Sequence, residues 1–208
     1  PGGIFNYISK TGRDTEGTEV PVRAGLLGNG RNPYYRADLA TGGRIGDQDL
    51  YYSASGFYRY DKGPRDGGYA MNRGGQFKAN LLWNYGDGSV LLYGKYQDDH
   101  NGVNLFQPGT NYADPGLSPG ISRYDSLQIP RAVHNFVKSA GQPTETWDGN
   151  NLIHSRSIVI GLKNEHDFGD GWKVTNNMKF SHNKSDWNAP ALTFVVPRAA
   201  GASADDFE

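Results

Sequence analysis

Asp98-Asp99-His100 sets two carboxylates beside an imidazole, the groups of acid–base work or of divalent-metal binding. It closes a run of alternating residues, and its position predicts a solvated strand end entering a loop. Asp167-Phe168-Gly169 spells the metal-binding triplet of protein kinases. No glycine-rich loop, strand lysine or catalytic loop accompanies it, so it predicts a hairpin turn. His154, His166 and His182 fall at no metal-ligand spacing. The chain has no Cys, which excludes a thiolate metal site and a disulfide framework. No catalytic residue, metal set or cofactor motif emerges, and the sequence points away from an enzyme.

Recognition is the other chemistry on offer. Phe106, Tyr112, Tyr124 and Trp147, with Arg123 and Arg131, fall in one proline-bearing stretch. Aromatic faces and guanidinium groups stack on a sugar or grip an anionic chelate. Each one alone reads as packing within its loop. The loop as a whole is the candidate ligand-binding surface.

The elements that position these residues are strands. In Gln76–Gln97, Phe77, Ala79, Leu81, Trp83 and Tyr85 take every second position, and after Gly86-Asp87-Gly88 so do Val90, Leu92, Gly94 and Tyr96. A period of two means two strands with one apolar face each, and the GDG supplies the positive φ angles of a tight reversal. A second hairpin repeats the pattern. Ile158, Ile160 and Leu162 alternate with polar residues, Gly169-Asp170-Gly171 turns, and Val174, Met178 and Phe180 alternate again. Tyr and Trp near strand ends read equally as interfacial girdle residues or as cross-strand packing.

Earlier in the chain, Ile4–Ile8 predicts a short strand and Thr11–Glu19 a connector. Val20–Leu27 predicts a strand that Pro21 confines to an edge or a strand start. Tyr35–Thr41 and Asp49–Tyr60 predict two more strands, with Gly42–Asp47 reversing the chain between them. From Asp98 to about Ser155 no period holds, except that Arg131–Lys138 suggests one or two helical turns. Short turns at 42–47, 86–88 and 169–171 thus alternate with long connections at 61–75, 98–155 and beyond 187. In an up-and-down antiparallel sheet this sorts short turns to one end and long loops to the other, as in an outer-membrane barrel.

Composition agrees with strands. Tyr counts 13 and Gly 29, which suits strands and turns better than helices. Mean hydropathy is −0.68, and no apolar run reaches the ~18 residues of a transmembrane helix. Barrel strands average out polar, so a barrel stays open. A net charge of −1 gives no reason to expect a nucleic-acid partner.

Pro1-Gly2-Gly3-Ile4-Phe5-Asn6-Tyr7-Ile8-Ser9-Lys10 resembles the end of the plug domain in TonB-dependent outer-membrane receptors. Pro1, Gly2, Gly3, Asn6 and Lys10 are the positions that carry the likeness. The text from Tyr58 to Gly75, leading into the first GDG hairpin, looks like the first barrel strands of such receptors. The resemblance implies a fragment of an all-β, antiparallel, up-and-down transmembrane β-barrel with long extracellular loops. Residues 1–19 are then the C-terminal end of the plug and its connector. Residues 20–208 are the N-terminal barrel strands, with most of the plug before Pro1 and most of the barrel after Glu208. It further implies a transporter in the outer membrane of a Gram-negative bacterium. Such a protein takes up a scarce ligand, a ferric siderophore or other iron chelate, cobalamin or an oligosaccharide. Outer-membrane lipid is its solvent, and the inner-membrane TonB complex supplies energy through a part of the protein outside this sequence. Asn183-Lys184-Ser185, a glycosylation sequon, has no meaning in that envelope. The rival expectation is a soluble all-β carbohydrate-binding or carbohydrate-active domain whose apolar faces form a sandwich core.

Overall fold

The computed structural model describes residues 9–103, 107, 109, 113, 116–126, 133–136, 140–148 and 151–188. Among them, ten strands follow one another: β1 (Gly17–Glu19), β2 (Val22–Leu27), β3 (Asn32–Arg44), β4 (Leu50–Asp61), β5 (Asn72–Tyr85), β6 (Gly88–Asn101), β7 (Val133–Phe136), β8 (Glu145–Asp148), β9 (Ile153–Asp167) and β10 (Lys173–Trp187). Eight of them form one antiparallel sheet in the order β1-β3-β4-β5-β6-β9-β10, with β2 also on β3. The sheet is open, and β7 and β8 pair apart from it.

β1 and β2 are one edge strand broken at Val20-Pro21. Gly17 lies opposite Gly42 and Val22 opposite Ala37, a single register along β3. Pro21 has no N–H to give, which suits an edge. Its carbonyl still accepts from the Asp38 N–H at 2.9 Å. The expected connector at 11–19 therefore enters the sheet from residue 17 onward.

Register fixes the two faces. Leu81 lies opposite Tyr52 and Leu92, Leu92 opposite Leu162, and Leu162 opposite Met178. One step along, Phe77 lies opposite Tyr96, and Tyr96 opposite Ile158. Leu81, Leu92, Tyr96, Ile160, Met178 and Phe180 are all exposed on this face, Ile160 at 55% and Phe180 at 65%. The other face carries Arg36, Asp38, Ser55, Arg59, Lys78, Lys95, Gln97, Lys163 and Lys179. No sandwich core exists among the described residues. The buried apolar side chains there are Tyr69, Met71 and Leu152, which flank β5 and β9 outside the ladder.

Three expectations are corrected. The first reversal is not 42–47: Gly42, Gly43 and Arg44 pair with Ser53, Tyr52 and Tyr51. The turn is 45–49, where Gly46 takes a positive φ of 61° and the Ile45 N–H reaches the Leu50 carbonyl at 2.8 Å. Of the helical turns expected at 131–138, the described residues Val133–Phe136 are instead a strand paired with Glu145–Asp148. A lone helical turn bears the full cost of nucleation, whereas a strand partner is available here and Val and Phe suit strands. The aperiodic stretch does not begin at Asp98: β6 runs on to Asn101 against β5 and β9, and Asp98–His100 is a strand end as expected.

The turns at 45–49, 86–87 and 168–172 share one end of the sheet, and the connections at 62–71 and 102–152 share the other. One short turn, Gly28–Arg31, belongs to the long-connection end, where it joins β2 to β3. Asp167-Phe168-Gly169 is a turn as expected. Gly169, Asp170 and Gly171 take φ angles of 76°, 50° and 83°, and the Asp167 carboxylate accepts from the Gly169 N–H at 2.9 Å.

Candidate functional site

The polar face holds a hollow of about 710 Å³ lined by Lys10, Lys78, Asn80, Lys95, Lys163 and Lys179, among others. Alternation along four strands puts Lys78, Lys95, Lys163 and Lys179 on one side. Lys78 lies directly opposite Lys95, and like charges so placed cost some stability. Lys163 is neutralised by Glu165 at 2.8 Å. Among the described residues, Lys78, Lys95 and Lys179 have no carboxylate within ion-pair reach. A hollow with unneutralised ammonium groups attracts anions.

The N-terminal segment crosses this same face. Asn80 Nδ2 donates to the Lys10 carbonyl at 2.9 Å. A Cβ on Gly12 would stand 2.2 Å from the Tyr52 carbonyl oxygen, and one on Gly42 would stand 3.0 Å from that of Thr15. The strip from 10 to 15 therefore lies on the sheet backbone, where a side chain at Gly12 has no room. Hydrogen bonds from the Thr11 N–H and hydroxyl, both at 2.9 Å, hold the Asp14 carboxyl below its ordinary pKa, the backbone bond contributing most.

At the long-connection end, the polar face is bound by charge. Arg36 clamps Asp38 at 2.6 and 3.0 Å and lies 4.1 Å over the Phe57 ring. Arg59 reaches Asp99 at 2.8 Å and Asn101 at 2.5 Å. Beyond it, a cavity of about 570 Å³ opens between Gly28, Arg31, Asp66, Ser122, Tyr124 and Asp125. Gln107 ties the Ser122–Asp125 turn by donating to the carbonyls of Ser122 at 2.7 Å and Asp125 at 3.0 Å. Desolvation raises the Tyr69 phenol in the connection between β4 and β5.

Of the expected ligand-binding residues, Arg123 and Tyr124 share the turn beside this cavity. The Arg123 carbonyl accepts from Arg65 Nε at 3.2 Å, and Tyr124 is 37% exposed. Trp147 lies on β8 opposite His134. Phe106, Tyr112 and Arg131 lie outside the described residues, as do Pro1, Gly2, Gly3 and Asn6 of the plug-like motif. Lys10 is described and lines the hollow.

One cluster escaped the sequence. Strand alternation splits Asp98-Asp99-His100 across the sheet: Asp99 faces Arg59, while Asp98 and His100 point to the opposite face. There the register sets His100 opposite His154. The two imidazoles stack at 3.7 Å between centroids and 16° between planes. His154 Nε2 lies 2.7 Å from Asp98 Oδ1, and His100 Nε2 lies 3.7 Å from the same oxygen. The three groups could hold a metal ion. Only knowledge that β6 pairs with β9 across the long connection would have revealed them.

Comparison with known protein families, characterised proteins and solved structures finds no match to this chain.

Proposed function

We propose that this sheet is part of the wall of a TonB-dependent outer-membrane transporter, and that its apolar face meets lipid. The uncovered apolar face carries the proposal. Six main-sheet strands, β3–β6, β9 and β10, run 12 to 15 residues, well beyond the 5 or 6 common in soluble sheets and the 9 to 11 that span a bilayer when tilted. From Tyr52 to Tyr60 the outward side chains cover roughly 26 Å along the strand at ~3.3 Å per residue, which a tilt of about 40° projects to roughly 20 Å of the ~25 Å apolar band of outer-membrane barrels. Trp83, Tyr85, His166 and Phe168 form a chain of ring contacts at 4.3 to 5.9 Å beside the short turns, where a girdle would sit. The strip at 10–15 on the polar face suits a plug end entering from inside.

On this proposal the polar hollow faces the lumen and the long connections face outward. The ammonium groups of Lys78, Lys95 and Lys179 favour an anionic member of the expected ligand classes, such as a ferric chelate, with TonB supplying the energy. Closure requires further strands on both edges of the sheet. A soluble carbohydrate domain would need its apolar face covered.

Lipid quenching tests the proposal in the full-length protein. A fluorophore on Leu81→Cys, in vesicles with brominated acyl chains, should be strongly quenched. The same probe on Lys78→Cys should not. A water-soluble monomer with equal quenching at both positions overturns the proposal.

A further inference from the structure

We infer that Asp98, His100 and His154 form a binding site for one divalent transition-metal ion of the zinc type, clipping β6 to β9 at the base of the long connection. The inference stands apart from the transport proposal, because it needs only the register and the donor atoms.

Two imidazoles and one carboxylate are the donor set of Zn2+, and also suit Cu2+ and Ni2+; Mg2+ and Ca2+ prefer oxygen alone. Reach is right. The candidate ligand atoms all lie within 4.8 Å of one another. Bonds of about 2.0 to 2.2 Å around a tetrahedral ion set neighbouring ligand atoms roughly 3.4 Å apart. Asp98 Oδ1 stands at 2.7 Å from one imidazole nitrogen and 3.7 Å from the other, on either side of that spacing. The two rings, stacked at 16°, must also swing apart so that both in-plane lone pairs converge on the ion, a side-chain rotation that leaves the strand register unchanged. Three protein ligands leave one position for water or for a ligand from outside.

A supporting residue orients one of the imidazoles. Asn151 Oδ1 lies 2.9 Å from His100 Nδ1. An amide oxygen only accepts, so Nδ1 carries the proton and Nε2 keeps its lone pair toward the cluster. This is the usual outer support of a metal-binding histidine. Asn151 precedes β9 directly, so the residue that orients the ligand of one strand belongs to the approach to the other. His154 Nε2–H donates to Asp98 at 2.7 Å, and to bind metal through Nε2 the neutral ring carries its proton on Nδ1 instead. The surrounding charges are mixed. Arg73 lies across from His100 and Arg156 across from Asp98, while Asp186 lies across from His154 and within 3.7 Å of Arg156.

Because the ion binds only when β6 and β9 are in register, it stabilises that pairing by linkage. The long connection then leaves the sheet from a pinned base.

The test uses the full-length protein, stripped with a chelator and titrated with Zn2+ against a chromophoric competitor and with Co2+ by visible absorption. Wild type should bind one ion per chain and give the intense bands of tetrahedral cobalt. His100→Gln and His154→Gln, which keep a polar side chain of similar reach, should each weaken Zn2+ by more than tenfold. Asn151→Ala should weaken it by about 10- to 100-fold, the usual cost of losing an outer partner. His182→Gln, exposed on β10 away from the cluster, should bind like wild type. Circular dichroism checks each fold; should a histidine variant fail to fold, Asn151→Ala against His182→Gln decides. Wild-type affinity in His154→Gln or Asn151→Ala, or an equal loss in His182→Gln, overturns the site.

Discussion

Two neighbours on β5 show how much one position along a strand decides. Phe77 points to the apolar face beside Gly56 and Tyr96, and Lys78 points to the hollow opposite Lys95. Phe77 lies opposite Gly56, midway along the Tyr52–Tyr60 stretch, so Phe77→Arg should destabilise the intact protein by about 2 to 4 kcal/mol, because the guanidinium loses water without gaining a partner. Lys78→Gln should change stability by no more than about 0.5 kcal/mol, since it also relieves a repulsion. Urea unfolding midpoints in detergent measure both, and equal effects at the two positions would contradict the assignment of faces. Asp49 carries a pH prediction at the first turn. The Tyr51 hydroxyl donates to its carboxylate at 2.8 Å and, as the largest cause, holds its pKa below the ordinary aspartate value. A depressed folded pKa gives stability that is present above the unfolded value near 3.9 and is lost as pH falls through the folded one. Amide exchange in the 45–49 turn should therefore accelerate below about pH 4, the unfolded aspartate value. Asp49→Asn should flatten that step, and an unchanged step in the variant would assign it to another group.

The strip at 10–15 is an element whose seat depends on one missing side chain. A methyl on Gly12 would stand 2.2 Å from the Tyr52 carbonyl oxygen and 2.8 Å from that of Gly43, and backbone cannot step aside. Gly12→Ala should lift the strip from the polar face while the main ladder stays paired. Hydrogen exchange should rise for residues 9–16 and hold for β4–β6; unchanged protection at 9–16 would show that the seat tolerates a side chain. Both GDG hairpins were legible in the sequence, because alternation and positive-φ turns are local signals. So was the edge position of β2, because Pro21 has no N–H to donate. The extension of β6 and β9 was not, since their polar ends look like loop until a partner strand is known. For the same reason the histidine pair at 100 and 154 was invisible, with the whole connection of residues 102–152 between its halves. The lysines of the hollow were half legible: parity and the tight turn of the first hairpin set Lys95 against Lys78, but nothing local brought Lys163 and Lys179 alongside them.

At the scale of the whole molecule, the described residues form an open sheet with one bare apolar face and two unpaired edges, a poor soluble object. Exposed edges pair with other copies, and apolar faces of this extent associate in water. The sorted connections give the same sheet a direction. The turns at 45–49, 86–87 and 168–172 lie at one end, and Tyr124 belongs to the connection at the other. In outer-membrane barrels the short turns are periplasmic and the long loops are outside. The chain has no Cys, so a single one introduced here meets no competing thiol in this segment. In intact cells, a bulky membrane-impermeant maleimide should label Tyr124→Cys rapidly. Asp87→Cys and Asp170→Cys should react only after the outer membrane is permeabilised. Folding of the outer loops over the lumen slows Tyr124→Cys without inverting the order. Rapid labelling of Asp87→Cys in intact cells, with Tyr124→Cys protected, would invert the topology. The cavity beside Tyr124 would then face the periplasm and lose its claim on an external ligand.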